Sequence, residues 1–220
     1  MRNENVRETL LVTSNATTRA MLDGGTGALA GVSARASAGE GASLSAGVTA
    51  DVTEVYHYSA DGTIRRFAPQ VPSTNPSHPP AVWAIDGHHA PLYWFPRDCP
   101  RVSVWANDPD QQARLTELFA TEASRICAAE SSWVTAICAS RVYRYSFDAA
   151  DFAPSGESAG RYISLTAVHP VRVEPIDDLL GLHAEHDVEL RFTPRFGPLV
   201  DQMLESGLPF AFVRIRDAKR

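Results

Sequence analysis

Hydrophobic and polar positions first settle into a period-two pattern at "EVYHYS", residues 54–59, where His57 and Ser59, two positions apart, share one side of a predicted strand. "RVYRYSFD" alternates more strongly. It puts Val142, Arg144 and Ser146 on one face and Tyr143, Tyr145 and Phe147 on the other. "AVWAID", "RVSVWA", "AGRYISL", "HPVRVEPI", "VELRFTP" and "PFAFVRIR" read as further strands, and Thr63–Phe67 as a short turn or strand. Helical spacing predicts "DPDQQARLTELFA", with Asp108 at the N-cap and Pro109 at the first helical position. "DDLLGLHAEH", capped by Asp177, and "RFGPLVDQMLES" are the other helices, "HHAPLYWFP" is one helical turn, and "AAESSWVTAICAS" is a helix or a helix–strand junction. "PQVPSTNPSHPP" is a loop, because proline fits neither a helix interior nor a central strand. Helices that do not alternate regularly with strands predict an α+β fold rather than a doubly wound nucleotide fold.

Residues 24–50 are mostly Gly, Ala and Ser and bury too little apolar surface to offset their ordering entropy. They read as a tether, with a short helix expected around Arg7–Leu22, so residues 1–52 form an extension and 53–220 a single domain. The GGTG within the tether lacks the lysine and the strand–helix context of a phosphate loop. At 44% hydrophobic and 21% charged the chain is composed like a soluble globular protein. Its formal charge of −6, with no basic stripe, argues against a duplex nucleic-acid partner. Lys219 is the only lysine, so nearly all basic side chains are guanidinium groups, which suit phosphate and carboxylate. Cys99, Cys127 and Cys138 have neither zinc-site nor disulfide spacing. No run is long enough for a membrane span and no leader pattern opens the chain, so a cytoplasmic location is expected.

Three stretches carry candidate chemistry. His57 near a strand end, with Ser59 on the same side, can grip a ligand's hydroxyls through neutral hydrogen bonds; the plain alternative is a satisfied core histidine. Residues 81–102, with Trp105 just beyond, bring Trp83, Tyr93, Trp94 and Trp105 close in sequence, either as core or as a flat platform beside Arg97. Arg97-Asp98 equally reads as a self-satisfied turn pair. His88-His89 have no carboxylate triad with them and, in a strand, point to opposite sides, so no metal site is expected. In residues 143–164, Asp148, Asp151 and Glu157 follow a strand and precede Tyr162 and Ser164, which repeat the aromatic-then-hydroxyl look of Tyr58 and Ser59.

The order of these parts resembles the ADP-ribosyltransferase fold, most closely the small rifamycin-modifying type. "YHYS" resembles an early YHGT-like stretch and "VWAID…LYW" a YFS…WGA-like segment. "VYRYSFDAADFAP" and "RYISLTAVHPVRVEP" resemble that family's later strands, so the likeness covers about residues 53–178. The chain also resembles a bacterial family of uncharacterised domains sharing "VWAID" and "PRDCPRV". The first resemblance implies a split antiparallel or mixed sheet with a few peripheral helices. It further implies an enzyme using NAD as substrate, without a metal, that cleaves the nicotinamide–ribose bond and passes ADP-ribose to an acceptor or to water. On that reading His57 and Ser59 hold ribose, Trp83 or Tyr93 stacks on nicotinamide, Arg97 meets phosphate, and Tyr162 and Ser164 line the pocket. Trp83 stands where such enzymes place a tyrosine, and no glutamate occupies the acid position, leaving Asp148 or Asp151 to support the cation.

Two other readings compete. A non-catalytic module of the same fold binds the nucleotide but releases no nicotinamide. An RNA or nucleotide phosphotransferase-like enzyme expects arginines converging on a phosphate, and Arg97, Arg101, Arg144 and Arg161 are its candidates.

Overall fold

The computed structural model describes Leu10–Leu11 and residues 52–71, 76–156 and 158–219. In chain order the strands are β1 (Leu10–Leu11), β2 (Glu54–Ser59), β3 (Val82–Ile85), β4 (Arg101–Trp105), β5 (Arg125–Glu130), β6 (Val142–Asp148), β7 (Ala153–Pro154), β8 (Arg161–Ser164), β9 (Arg172–Ile176), β10 (Val188–Thr193) and β11 (Phe210–Val213). The helices are α1 (Pro109–Phe119), α2 (Val134–Ala139), α3 (Leu179–Glu185) and α4 (Gly197–Ser206). Short 3₁₀ turns lie at Ala90–Tyr93, Ser131–Trp133, Ala149–Asp151 and Ile215–Asp217. The class is mixed α+β.

Two sheets result. One is five-stranded, ordered β1-β11-β4-β5-β10 and antiparallel except for the parallel pair β5 and β10. The other is six-stranded, ordered β7-β8-β3-β2-β6-β9 and antiparallel throughout. Among the described residues four apolar clusters hold the layers, the smallest made of Leu92, Trp105, Ala211 and Val213. The helices α1 and α4 cover one face of the five-stranded sheet, with Leu115, Phe119, Val200 and Met203 packed on Val102, Val104, Ile126 and Phe212. The second cluster lies where the sheets meet: Ile85 and Val142 from one pack with Cys127, Ala129 and Val188 from the other, together with Trp94, Phe95 and Leu179. The third sits on the outer face of the six-stranded sheet, where Val55, Val82, Ala84, Tyr145 and Phe147 are roofed by Phe67 and Val168. Phe67 and Val168 are joined by reciprocal backbone bonds of 2.9 and 3.0 Å.

The alternation in "RVYRYSFD" is realised as read, with Tyr145 and Phe147 fully buried on one face. Helix α1 starts at the expected cap, where Asp108 Oδ1 accepts the Gln111 N–H at 2.8 Å behind Pro109. Two readings are corrected. Helix α3 is capped by Asp178, which accepts the Gly181 N–H, while Asp177 pairs with Arg141. The stretch read as a helix or a helix–strand junction is a junction: RICAAE (125–130) is a wholly buried strand flanked by β4 and β10, and it runs through a 3₁₀ turn into α2. Leu10–Leu11, expected in a helix, pair with Val213 and Phe212 of β11; the rest of residues 1–51 lies outside the described residues.

Candidate functional site

Strand β2 pairs with β6 from Glu54↔Asp148 to Ser59↔Tyr143, and β3 pairs with β8 along its whole length. Between β2 and β3, by contrast, Tyr56↔Ile85 is the single ladder pair. Past that pair the strands part, and the side chain of His57 bridges them, its Nδ1 lying 3.0 Å from the Trp83 carbonyl oxygen. A carbonyl only accepts, so Nδ1 carries the proton and Nε2 has the acceptor role in a neutral ring. Register then fixes what shares the imidazole's face. Tyr56↔Ile85 places His57 beside Ala84, and Ala84 is paired with Tyr162. The row His57–Ala84–Tyr162 therefore crosses the sheet with the two rings about 10 Å apart at their Cα atoms, two strand spacings. The alanine between them is buried in the third apolar cluster. His57 and Tyr162 are half-buried here, whereas Ala84 is covered. The Phe67 ring meets the imidazole edge-on at 5.0 Å. Tyr145 anchors the roof by donating to the Asp61 carbonyl at 2.6 Å and accepting the Ile64 N–H at 3.2 Å.

The end of this basin is built by the turn after β3. The Asp86 N–H donates to the Gly160 carbonyl at 2.9 Å, carrying the β3–β8 register one residue further. Asp86 Oδ1 accepts both the His89 N–H at 2.7 Å and the His89 Nδ1–H at 2.8 Å, so the carboxylate fixes the tautomer and orientation of a buried imidazole. Gly160 makes this packing possible. Its φ is +74°, and a Cβ there would stand 2.0 Å from His89 Nδ1. Burial first, then the negative charge of Asp86, holds the Tyr162 hydroxyl above the usual phenol range, so the carboxylate's field reaches the basin. Behind the turn, buried Arg125 donates to the His88 carbonyl at 2.9 Å and lies 4.5 Å over the Trp105 ring. Burial, Arg125 and His89 together keep His88 below the ordinary histidine range.

Of the residues nominated from sequence, His57, Ser59, Tyr162 and Ser164 share one face of the six-stranded sheet. The two serines are engaged locally: Ser59 Oγ accepts the Asp61 N–H at 3.1 Å and Ser164 Oγ donates to the Thr166 carbonyl at 3.3 Å. The others lie elsewhere. Trp83 alternates onto the opposite face, where the Arg161 guanidinium lies 5.3 Å from its ring and the His78 ring 4.9 Å. Tyr93 stacks on Tyr58 at 6.3 Å beside the cluster between the sheets, and desolvation of the partly buried Tyr58 pushes its hydroxyl up to about 12. Arg97 belongs to the turn before β4, and its neighbour Asp98 pairs with Arg214 at 2.7 Å. Asp148, exposed, caps the turn Ala149–Asp151 by accepting the Ala150 N–H at 2.9 Å, and Asp151 is exposed in that turn. Asp148 pairs with Glu54, three residues from His57 and thus about 10 Å along the strand. A single cleft shared by His57, Trp83 and a loop aspartate near 150 is therefore not what the register produces. Glu157 lies outside the described residues.

The pairing of Asp86 with His89 escaped the sequence reading. The visible signal was the spacing Asp-x-x-His immediately after a strand, which in a turn brings carboxylate and imidazole together. His88 and His89 sit in that turn rather than in a strand, with ring centroids 4.8 Å apart. Among the described residues no group of three or more His, Cys, Asp or Glu side chains is placed to hold a metal ion. None of the described helices is long and apolar enough to cross a membrane.

A family model described as a family of unknown function, DUF6886, matches residues 56–218. The chain belongs to that family. The match runs from β2 to the last 3₁₀ turn and takes in the whole basin. Neither a curated protein nor a solved structure matches the chain.

Proposed function

We propose that this DUF6886 chain is an NAD-utilising enzyme of the ADP-ribosyltransferase-like class, cleaving the nicotinamide–ribose bond and transferring ADP-ribose to a small acceptor or to water. The observation that carries the reading is the parting of β2 and β3, with His57 set in the gap and facing Tyr162 across Ala84. An imidazole whose Nδ1 is tied to backbone presents Nε2 as an oriented acceptor for a ribose hydroxyl.

In the reaction the C1′–N bond breaks with its electron pair going to the pyridinium nitrogen, which leaves as neutral nicotinamide. The ribose becomes an oxocarbenium-like cation, and water or an acceptor hydroxyl adds to C1′ and gives up its proton. Asp86 takes the acid role first assigned to Asp148 or Asp151. Its field already reaches Tyr162, and its hydrogen bonds from His89 hold the carboxylate in place while positive charge develops. Of the arginines expected by a phosphotransferase reading, Arg101 is buried, with Nε on the Leu92 carbonyl, Arg144 pairs with Glu174, and Arg161 lies over Trp83.

Incubation with NAD followed by chromatography of released nicotinamide tests the proposal. The wild-type chain releases nicotinamide, His57→Ala loses about tenfold or more of the rate, and Asp86→Asn about a hundredfold. Asp148→Asn leaves the rate unchanged. Binding of NAD without any release leaves the non-catalytic module, and neither binding nor release overturns the reading.

A further inference from the structure

The segment that roofs the basin carries a pair of guanidinium groups with no acid to meet them. Arg65 and Arg66 are adjacent and exposed, and on both sides of them the chain is fastened to the face that holds His57. Before them, the Ile64 N–H donates to the Tyr145 hydroxyl at 3.2 Å, and Tyr145 is the ladder partner of His57. After them, the Phe67 ring meets the imidazole at 5.0 Å. Backbone links fix the segment from its other edge. Phe67 and Val168 exchange backbone bonds, and the His169 Nδ1–H donates to the Arg65 carbonyl at 2.9 Å. The Arg65 charge is felt on this face: desolvation raises the Tyr145 hydroxyl, and Arg65 opposes that rise. Other exposed arginines meet carboxylates, Arg141 with Asp177 and Arg172 with Glu54 and Glu174. Among the described residues no carboxylate pairs with Arg65 or Arg66. Asp61, the acid closest to them in the chain, has Oδ1 engaged by the Thr63 N–H at 2.8 Å and the Thr63 hydroxyl at 2.6 Å. In a chain of formal charge −6, two neighbouring cations left without an acid at the rim of a basin are an arrangement that an anion completes.

We propose that Arg65 and Arg66 recognise the phosphate-bearing end of the ligand that the basin holds. The proposal deepens the NAD reading and rests on it for the identity of the nucleotide, whose pyrophosphate then lies at the roof, beside the ribose at His57. The pair takes the phosphate contact first sought at Arg97. A forked guanidinium meets two phosphoryl oxygens at once, so lysine replaces it poorly. Neither side chain has to break an ion pair within the described chain before it meets the anion. His169 has a positioning part, since its ring holds the Arg65 carbonyl and with it the backbone from which both guanidinium groups extend.

Calorimetric titration with ADP, inorganic pyrophosphate and adenosine tests the proposal. Arg195→Gln is the control for net charge, because Arg195 is another exposed arginine, ahead of α4. The wild-type chain binds ADP, and adenosine binds about tenfold or more weakly. Arg65→Gln and Arg66→Gln each weaken ADP about fivefold, and the double variant loses more. Arg65→Lys loses part of what Arg65→Gln loses, and Arg195→Gln leaves ADP affinity unchanged. Pyrophosphate binding as tight as ADP makes the rim a site for a free anion; weaker pyrophosphate binding makes it part of a nucleotide site. Both support phosphoryl recognition. Thermal melting shows that each variant is folded before it is titrated. The proposal is overturned by ADP affinity within about twofold of wild type in the folded double variant, or by an equal loss in Arg195→Gln. Adenosine bound as tightly as ADP, or no binding of ADP or pyrophosphate by the wild type, overturns it too. The two proposals fail separately. Nicotinamide release with unchanged NAD affinity in the double variant sinks the phosphate contact and spares the enzyme, whereas ADP binding that needs Arg65 and Arg66, without nicotinamide release, does the reverse.

Discussion

Gly156 and Gly160 offer a matched pair for testing how the basin is built. Both have φ in the left-handed region, +72° and +74°, yet a Cβ at Gly156 meets nothing within 4 Å, whereas one at Gly160 stands 2.0 Å from His89 Nδ1 and 2.5 Å from its Cγ. Alanine at either position is strained by about 1–2 kcal/mol for the left-handed backbone, offset by about 0.4–1 kcal/mol from a stiffer unfolded chain. Gly156→Ala thus costs about 0.5–1 kcal/mol. Gly160→Ala carries the same net strain and must also push the imidazole away from Asp86. The two side chains are only 11% and 16% exposed, so solvent screens their hydrogen bond little, and losing it adds about 1.5–3 kcal/mol. The sum for Gly160→Ala is about 2–4 kcal/mol. Urea unfolding of both variants reads the difference directly, and thermal scans should separate their midpoints by several degrees, at about 2–4 °C per kcal/mol for a domain of this size. In a His89→Ala background the excess cost of Gly160→Ala should vanish. Equal destabilisation by the two alanines, within about 0.5 kcal/mol, or an excess that survives removal of the imidazole, would refute the contact.

Two other outcomes follow from buried polar groups. Tyr145→Phe strands the Asp61 carbonyl and the Ile64 N–H at the roof of the basin and should cost about 1–3 kcal/mol by urea unfolding; a loss under about 0.5 kcal/mol would mean that the hydroxyl does not anchor the roof. His183 is fully buried against Trp94 and Phe95, with Nδ1 on the Leu179 carbonyl and Nε2 unpartnered, and burial holds its pKa below the ordinary histidine value. The unfolded chain therefore takes up a proton at a higher pH than the folded one. Stability present above the unfolded pKa of about 6.5 is lost as pH falls below it, by at most about 1.4 kcal/mol per pH unit for this group. His183→Met should flatten the stability profile between pH 7 and 5, and an unchanged slope would rule His183 out as a cause of the acid sensitivity.

Local chemistry was legible wherever one residue's neighbours in sequence are also its neighbours in space. The period-two pattern of 142–148 names its own buried face, and Asp108-Pro109 announces a helix start, because both are decided within a few residues. The strand 125–130 was harder. Flanked by β4 and β10 and buried on both faces, it has no polar side to reveal its period. The site was legible by half. His57 and Ser59 share a face by simple alternation, but the placement of Trp83 depends on the β2–β3 register. That register is set by the single pair Tyr56↔Ile85 and puts the indole on the far side.

By itself the sequence determined the α+β class, the caps, the alternating faces and the residue types available for chemistry, since these follow from backbone periods and short-range hydrogen bonds. Only the tertiary structure decided which side chains meet. Strands far apart in sequence bring Ala84 between His57 and Tyr162, fold Gly160 onto His89, and draw Arg161 over Trp83. A shift of one residue in any of those pairings would turn the side chains concerned to the opposite face, and the energy that prevents it comes from burying apolar clusters that join strands and helices distant in sequence.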